Sequence, residues 1–239
     1  HPQALLVTGA FTNRYYAAGL QPRTAVGNPY GDGYYDDFNT AVGLDSAGRT
    51  QLHHKGKLVI GVENTPTVIF DLMQFLVIDL GGVVGQIGMG QHGTAFAHAG
   101  MRMGPAICYE GLYGDFYGDF VRRGAQFMAI ISNDGWWGDT PGYKHLFTIS
   151  RLRAIEHRRA IARSANTGMS GFISARGDIG ETLGWKKRGV ISAAVPLNSE
   201  LTFYTRYGDY LGRISEYLTL LCVLYYIAYR VKRKNYLVK

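Results

Sequence analysis

A cysteine that ends an apolar segment and is followed two residues later by an acid is the most chemically informative feature of this sequence. Residues 99–107 are apolar or small, which is typical of a β-strand, and they lead into Cys108 and then Glu110. A thiol at a strand-to-helix turn can be reached by a substrate, and the backbone N–H groups that begin the helix favour its deprotonated form. Because free cysteine is also among the most buried residue types, a purely structural Cys108 is the alternative.

A lysine at the end of a predicted β-hairpin provides a positive charge for the same chemistry. Residues 38–44 and 50–54 alternate like strands on either side of a turn, and Lys55 follows the second strand. A thiol that attacks an acyl carbonyl needs a general base and a positive group where the oxyanion forms. We expect Lys55 to supply that charge and to lower the pKa of the thiol, and Glu63 and Glu110 are candidate carboxylates.

The composition indicates one α/β domain with a short appendage and a basic surface. The chain has 239 residues and carries 25 Lys and Arg against 18 Asp and Glu, a net charge of +7. Such a charge favours anionic partners, either phospholipid headgroups or nucleic acid. The basic residues form no single stripe, since many lie in residues 151–163 and at the C-terminus, and the sequence contains no zinc finger or phosphate-binding loop. We therefore predict a membrane partner and no nucleic acid.

The cysteines and histidines do not form a metal-binding pattern. Cys108 and Cys222 lie in different surroundings, so we expect no disulfide between them, and the chain has no CxxC spacing. The adjacent His53 and His54 should point to opposite faces of a strand. We therefore expect neither a metal site nor a cofactor.

Further elements of an α/β domain are predicted downstream. Residues 127–134 form an apolar strand that ends in polar residues, the usual place for a site in an open α/β sheet. Residues 143–165 have apolar residues at every third position, which predicts a helix with a solvated, arginine-rich face. Residues 169–174 and 190–195 are predicted to be strands.

An apolar segment lies between Lys55 and Cys108. Residues 66–90 are rich in large apolar side chains and then in glycine, but Asp71 and Asp79 argue against a helix that spans a bilayer. Two interpretations stay open: a buried core helix, or an apolar lid that dips into a membrane.

The C-terminal part has the composition of a membrane span. Residues 217–229 carry no charge, and the residues that follow are basic, with no acid beyond Glu216. Aromatic residues at the ends and a basic flank are typical of a transmembrane helix whose basic side is cytoplasmic. We predict a span over 213–231 and a cytoplasmic tail over 232–239; a terminal helix packed on the domain is the alternative.

Four segments, taken in order, resemble the nitrilase or carbon–nitrogen hydrolase superfamily, and within it the apolipoprotein N-acyltransferases of bacterial inner membranes. The segments are HKGKLVIGVE at 54–63, ICYE at 107–110, ISNDGWWG at 131–138 and RSANTG at 163–168. The resemblance implies an αββα sandwich over residues 1–212 that faces the periplasm and is followed by the C-terminal transmembrane helix.

The resemblance also implies a Glu-Lys-Cys triad and a two-step reaction. Cys108 would take an acyl chain from a phospholipid as a thioester, and the α-amino group of a diacylglyceryl-cysteine at a lipoprotein N-terminus would then attack that thioester. Lys55 would stabilise the oxyanion, and Glu63, Glu110 and Tyr109 would support the site. The substrate-binding residues would be Asn133, Trp136 and Trp137, although plain core packing is the alternative for the two tryptophans.

The family's general-base glutamate and its membrane helices precede the first strand, so we expect them to lie outside the chain as given. Two alternative functions use the same residues. The first is a membrane-tethered carbon–nitrogen hydrolase in which water replaces the amine. The second is a non-catalytic module that binds lipid or lipoprotein.

Overall fold

The first of two β-sheets contains the predicted hairpin and an additional long strand. The computed structural model describes residues 3–59, 63 and 87–237. In this sheet the central strand β3 pairs antiparallel with β1 along one side and with β2 and β4 along the other. The hairpin prediction is confirmed, and the strand expected over 38–44 is longer, extending over 34–45. The strands are β1 (Leu5–Tyr16), β2 (Val26–Gly27), β3 (Tyr34–Asp45) and β4 (Thr50–His54).

The second sheet has six strands with a parallel centre. Its order is β10-β9-β8-β7-β6-β5, and β6, β7 and β8 run parallel because helices α1 and α2 connect them. The elements are β5 (Phe96–His98), β6 (Met101–Ile107), α1 (Gly114–Arg122), β7 (Phe127–Ser132), α2 (Pro141–His157), β8 (Ile161–Ala165), β9 (Ser170–Ile173) and β10 (Ile179–Leu183).

Two hydrophobic clusters hold these layers together. Ala41 of the first sheet packs with Phe96, Met103 and Ile107 of the second, so the two sheets lie face to face. On the opposite face of the second sheet, helices α1 and α2 contribute side chains such as Phe120 to a larger cluster. The nitrilase-like α/β fold class is thereby confirmed.

One end of the outer face of the first sheet is open in the part of the chain that the structure describes. Leu6, Leu44 and Leu52 lie on this face and are exposed. Among the described residues no helix packs against it. Two sheets and one helix layer of the predicted αββα sandwich are therefore present within those residues.

Helix α2 is shorter than predicted and buries a different face. Thr140 caps its N-terminus by accepting a hydrogen bond from the backbone of Gly142, and the helix ends before Arg158, whose φ is +50°. The chain then forms β8 instead of continuing as helix to 165. The three-residue apolar period was misleading, since Leu152 and Ile155 are exposed.

The arginine-rich face is only partly solvated: Arg151 and Arg158 are exposed, but the prediction is wrong for three other arginines. Arg159 is 1 % exposed, and its guanidinium donates to the backbone carbonyls of Ala125 and Glu200 at 2.7 and 2.9 Å. Arg153 and Arg163 are buried as well. These side chains satisfy carbonyl and carboxylate oxygens that packing removes from water.

Two other predicted segments differ from the structure or lie outside its description. Residues 190–195 form no regular secondary structure, and Val190 is 95 % exposed, so the strand predicted there is wrong. Residues 66–86 lie outside the described residues, and both interpretations of the apolar segment stay predictions.

The C-terminal helix projects from the domain. A short helix, α3 (Phe203–Tyr207), precedes α4 (Tyr210–Leu237). The stretch Tyr210–Arg230 has a mean hydropathy of 1.3 and is not buried against the domain, so the alternative of a packed terminal helix is wrong for this stretch. By length and composition it is able to cross a membrane, in agreement with the predicted span.

Phe120→Ala should lower the free energy of unfolding by about 3–5 kcal/mol, because it removes a ring that is completely buried in the larger cluster. The matched control is Leu152→Ala on α2, where the side chain is exposed. Chemical denaturation followed by circular dichroism measures both. Equal losses in the two variants would contradict the described packing.

Candidate active site

Cys108 lies where strand β6 turns sharply into a short 3-10 helix, Cys108–Leu112. Its φ is +45°, in the left-handed region that residues other than glycine rarely adopt. Such strain persists only where the surrounding structure fixes it, and it is frequent at functional sites. The residue is partly exposed and contacts the cluster between the two sheets. The predicted sharp turn is confirmed.

Lys55 is held on the inner face of the first sheet, directly after β4. Its backbone N–H donates to the carbonyl of Asn39 at 2.8 Å, and its own carbonyl accepts from Gly90 at 2.9 Å. The side chain is 2 % exposed, and Nζ donates to both carboxylate oxygens of Glu63 at 2.8 and 2.7 Å. Pairing with a carboxylate in this way compensates for the water that a buried ammonium loses.

Glu63 is fixed by more than the lysine. One carboxylate oxygen accepts from Asn39 Nδ2 at 2.9 Å, and the other accepts from the backbone of Val59 at 2.9 Å. These contacts orient Glu63, and Glu63 in turn orients Lys55. Asn39 was not identified from the sequence, although the alternation of β3 places it on the inner face that also presents Ala41.

Glu110 is completely buried and joins the two sheets. Its carboxylate accepts from the backbone of Gly56, next to Lys55, and of Ile107, next to Cys108, both at 2.6 Å. His53 Nε2 lies 3.2 Å from each carboxylate oxygen. Glu110 therefore acts on the site through the backbone on both sides. His53 was assigned no role from the sequence, but it shares a strand face with Lys55.

Four neighbouring groups determine the proton affinity of the Cys108 thiol. Burial is the largest effect and raises its pKa, and the negative charge of Asp134 raises it further. Lys55, a hydrogen bond with Ser132, and Arg163 lower the pKa, but the net direction is upward. The predicted effect of Lys55 on the thiol pKa thus has the correct sign, and burial outweighs it. The net effect of these groups favours the neutral thiol over the thiolate.

The remaining predicted site residues lie in the short helix after β6 and in the segment after β7. The side chain of Asn133 accepts a hydrogen bond from the backbone of Gly135 at 3.2 Å, and Trp137 is half-exposed with its ring against Gly142. Tyr109 packs edge-to-face on Tyr113 with centroids 5.7 Å apart. Because Trp137 is partly exposed, plain core packing is excluded for this residue. The structure does not describe the side chain of Trp136.

The described residues were compared with the requirements of a metal site. Among these described residues, no three His, Cys, Asp or Glu side chains group closely enough to hold an ion.

A comparison with protein families identifies the chain. The model of the carbon–nitrogen hydrolase family matches residues 7–201, which include Lys55, Glu63, Cys108 and Glu110. The chain belongs to this family.

Similar proteins narrow the comparison. The chain is 36 % identical over 181 residues to an apolipoprotein N-acyltransferase of Chlorobaculum tepidum and 35 % identical over 190 residues to one of Verminephrobacter eiseniae. These matches cover 73 % and 76 % of this chain but 34 % of each relative, so the chain spans about a third of their length.

Solved structures of similar shape include Saccharomyces cerevisiae Nit3, a member of the nitrilase superfamily, with a TM-score of 0.49 and 18 % identity. That match covers 69 % of this chain and 54 % of Nit3. An amidase from Nesterenkonia gives a TM-score of 0.48 at 14 % identity, covering 75 % of this chain and 61 % of the amidase.

Glu110→Gln should lower the free energy of unfolding by about 1–3 kcal/mol, because an amide NH₂ would replace one of the two oxygens that accept buried backbone N–H groups. Glu181→Gln on β10, where the side chain is exposed, is the matched control. Thermal and chemical denaturation measure both variants. An unchanged stability of Glu110→Gln would show that this carboxylate does not join the sheets.

Proposed function

We propose that the chain is the acyl-transfer part of an apolipoprotein N-acyltransferase. In this proposal it moves an acyl chain from a phospholipid, through a thioester on Cys108, to the N-terminal amine of a diacylglyceryl-cysteine lipoprotein. The observation that carries the proposal is the strained turn that places the Cys108 thiol in the field of the buried Lys55 ammonium. The shared name of the two curated relatives, apolipoprotein N-acyltransferase, supports a lipoprotein as the acceptor.

The first step forms the thioester. The sulfur of Cys108 attacks the ester carbonyl carbon while a base removes the thiol proton, which the raised thiol pKa makes necessary. The ammonium of Lys55 stabilises the oxyanion that results. When this intermediate collapses, the C–O bond breaks and the lysophospholipid leaves as an alcohol with the proton that the base had taken.

The base of this step is not one of the two carboxylates at the site. Glu63 is engaged by Lys55, Asn39 and Val59, and Glu110 is enclosed by backbone amides. We therefore assign the proton to the further glutamate that the family resemblance implies. In the proposal Glu63, Glu110 and Tyr109 keep supporting roles.

The second step regenerates the thiol. The neutral amine of the lipoprotein attacks the thioester carbonyl, and Lys55 again stabilises the oxyanion. The C–S bond breaks as the amide forms, and one amine proton passes through the base to the sulfur. Asn133, Trp136 and Trp137, in the loop after β7, are proposed to contact the acyl chains.

Helix α4 places the reaction at a membrane in this proposal. Both substrates are lipids, and the exposed apolar stretch Tyr210–Arg230 precedes a basic end. We propose a catalytic domain over 1–212 in the periplasm, a span over 213–231 through the inner membrane, and a cytoplasmic tail over 232–239.

Hydrolysis is the second candidate, because the family match itself includes enzymes that use water. The two functions share the first step and differ in the acceptor. A non-catalytic binding module is disfavoured, since binding alone gives no reason to keep a strained cysteine beside a buried lysine.

Acyl labelling tests the proposal on the full-length natural protein that contains these residues, reconstituted in liposomes with a phospholipid radiolabelled in its acyl chain. We expect label that stays on the protein and is released by neutral hydroxylamine, because thioesters are cleaved under those conditions. Cys108→Ala should carry no label, whereas the matched control Cys222→Ser should be labelled normally.

The acceptor is then identified by adding a diacylated lipopeptide with a free N-terminal amine. Transfer of the label to the lipopeptide supports acyl transfer, and release as free fatty acid supports the hydrolase. Absence of label on the wild-type protein would contradict transfer from phospholipid.

A further inference from the structure

A row of buried polar side chains leads away from the sulfur of Cys108 across three parallel strands. Ile107 of β6 is in register with Ile131 of β7, so the next residues, Cys108 and Ser132, lie side by side at the ends of these strands. The hydroxyl of Ser132 is therefore close enough to the thiol to lower its pKa. Ser132 is 5 % exposed and was not singled out from the sequence.

The row continues to a charged pair. The hydroxyl of Ser132 donates to Asp134 Oδ1, and Asp134 is completely buried. Arg163 on β8 donates from Nη2 to both oxygens of Asp134 at 3.2 and 3.0 Å, and its Nη1 donates to the carbonyl of Met169.

The backbone prevents Asp134 from moving. A Cβ atom at Gly168 would lie 1.9 Å from Asp134 Oδ2, so the loop after β8 is packed directly against the carboxylate. The backbone N–H of Asn166 also donates to the carbonyl of Ser132 at 3.1 Å. The carboxylate is therefore held in one position relative to the serine and the thiol.

The serine hydroxyl has a single proton and two possible acceptors. In the structure that proton lies on the hydrogen bond to Asp134. When the sulfur is a thiolate, the same proton is needed there. Asp134 thus competes with the thiolate for this proton and also places a negative charge near it.

We propose that Ser132 and Asp134, fixed by Arg163, are positioning residues that set the balance between thiol and thiolate at Cys108. Ser132 favours the thiolate by donating to it, and Asp134 opposes the thiolate. The inference rests on Cys108 being the nucleophile of the proposed function. A buried ion pair alone gives little stability, since desolvation offsets the attraction. The pair of Asp134 and Arg163 instead fixes the acceptor of the Ser132 hydroxyl beside Cys108.

The charged groups that act on the thiol come from three elements. Lys55 follows β4, Asp134 follows β7, and Arg163 lies on β8. Removing one of the positive charges should raise the pKa of the Cys108 thiol, and removing the negative charge of Asp134 should lower it.

The test measures the rate of Cys108 alkylation by iodoacetamide as a function of pH. It uses the full-length protein with Cys222→Ser, so that Cys108 is the remaining cysteine of the 239 residues; any cysteine elsewhere in the protein is also replaced by serine. We expect Ser132→Ala to move the titration midpoint up and to slow alkylation at pH 7 severalfold. Asp134→Asn should move the midpoint down and speed alkylation. Ser132→Thr, which keeps a hydroxyl, should stay close to the parent protein.

Damage to the fold would not move the titration midpoint in opposite directions in Ser132→Ala and Asp134→Asn. Shifts in the same direction, or an unchanged midpoint in Ser132→Ala, would overturn the inference. If Asp134→Asn does not fold, the comparison of Ser132→Ala with Ser132→Thr decides alone. Alkylation needs no lipid, so a negative result here leaves the acyl-labelling result standing, and absence of acyl label leaves these midpoints readable.

Discussion

The two sheets meet at one buried carboxylate, and the geometry of the candidate site depends on it. Glu110 accepts from the amide of Gly56 on one sheet and of Ile107 on the other. Each amide is adjacent in sequence to a residue of the site, Lys55 or Cys108. A carboxylate is suited to this position because it offers two acceptors to donors that have no access to water. The catalytic lysine and cysteine of the proposal are thus aligned by the backbone.

The environment of Cys108 restrains its reactivity as well as supporting it. Burial and Asp134 raise the pKa of the thiol, whereas Lys55, Ser132 and Arg163 lower it. A thiol that is neutral at rest reacts only when a base is present to remove its proton. In the proposed acyl transfer, the same lysine ammonium would stabilise the oxyanion of both steps, and a base would remove and return the thiol proton.

The sequence was sufficient for the residue types of the site and for most elements of the fold. Cys108, Lys55 and Glu63 could be identified because each lies at a strand end or in a motif with recognisable spacing. The direction of the thiol's pKa shift could not be predicted from the sequence. Burial raises that pKa more than the charge of Lys55 lowers it, and the burial arises only when the sheets pack together. The burial of Arg159 could not be predicted either, since a sequence does not show which backbone carbonyls are removed from water and need a donor. The prediction of a strand at 190–195 was wrong for a related reason. An apolar pattern does not show whether another strand is available to pair with it.

The most direct test of the account measures the electrostatic contact between Lys55 and Cys108. The pH dependence of Cys108 alkylation is compared in Lys55→Met and Lys57→Met, where Lys57 lies over the rings of Tyr113 and Phe116 and has no part in the site. Because the positive charge of Lys55 lowers the pKa of the thiol, its loss should move the titration midpoint to higher pH. Lys57→Met should leave the midpoint in place. An unchanged midpoint in Lys55→Met, or an equal shift in both variants, would contradict the account.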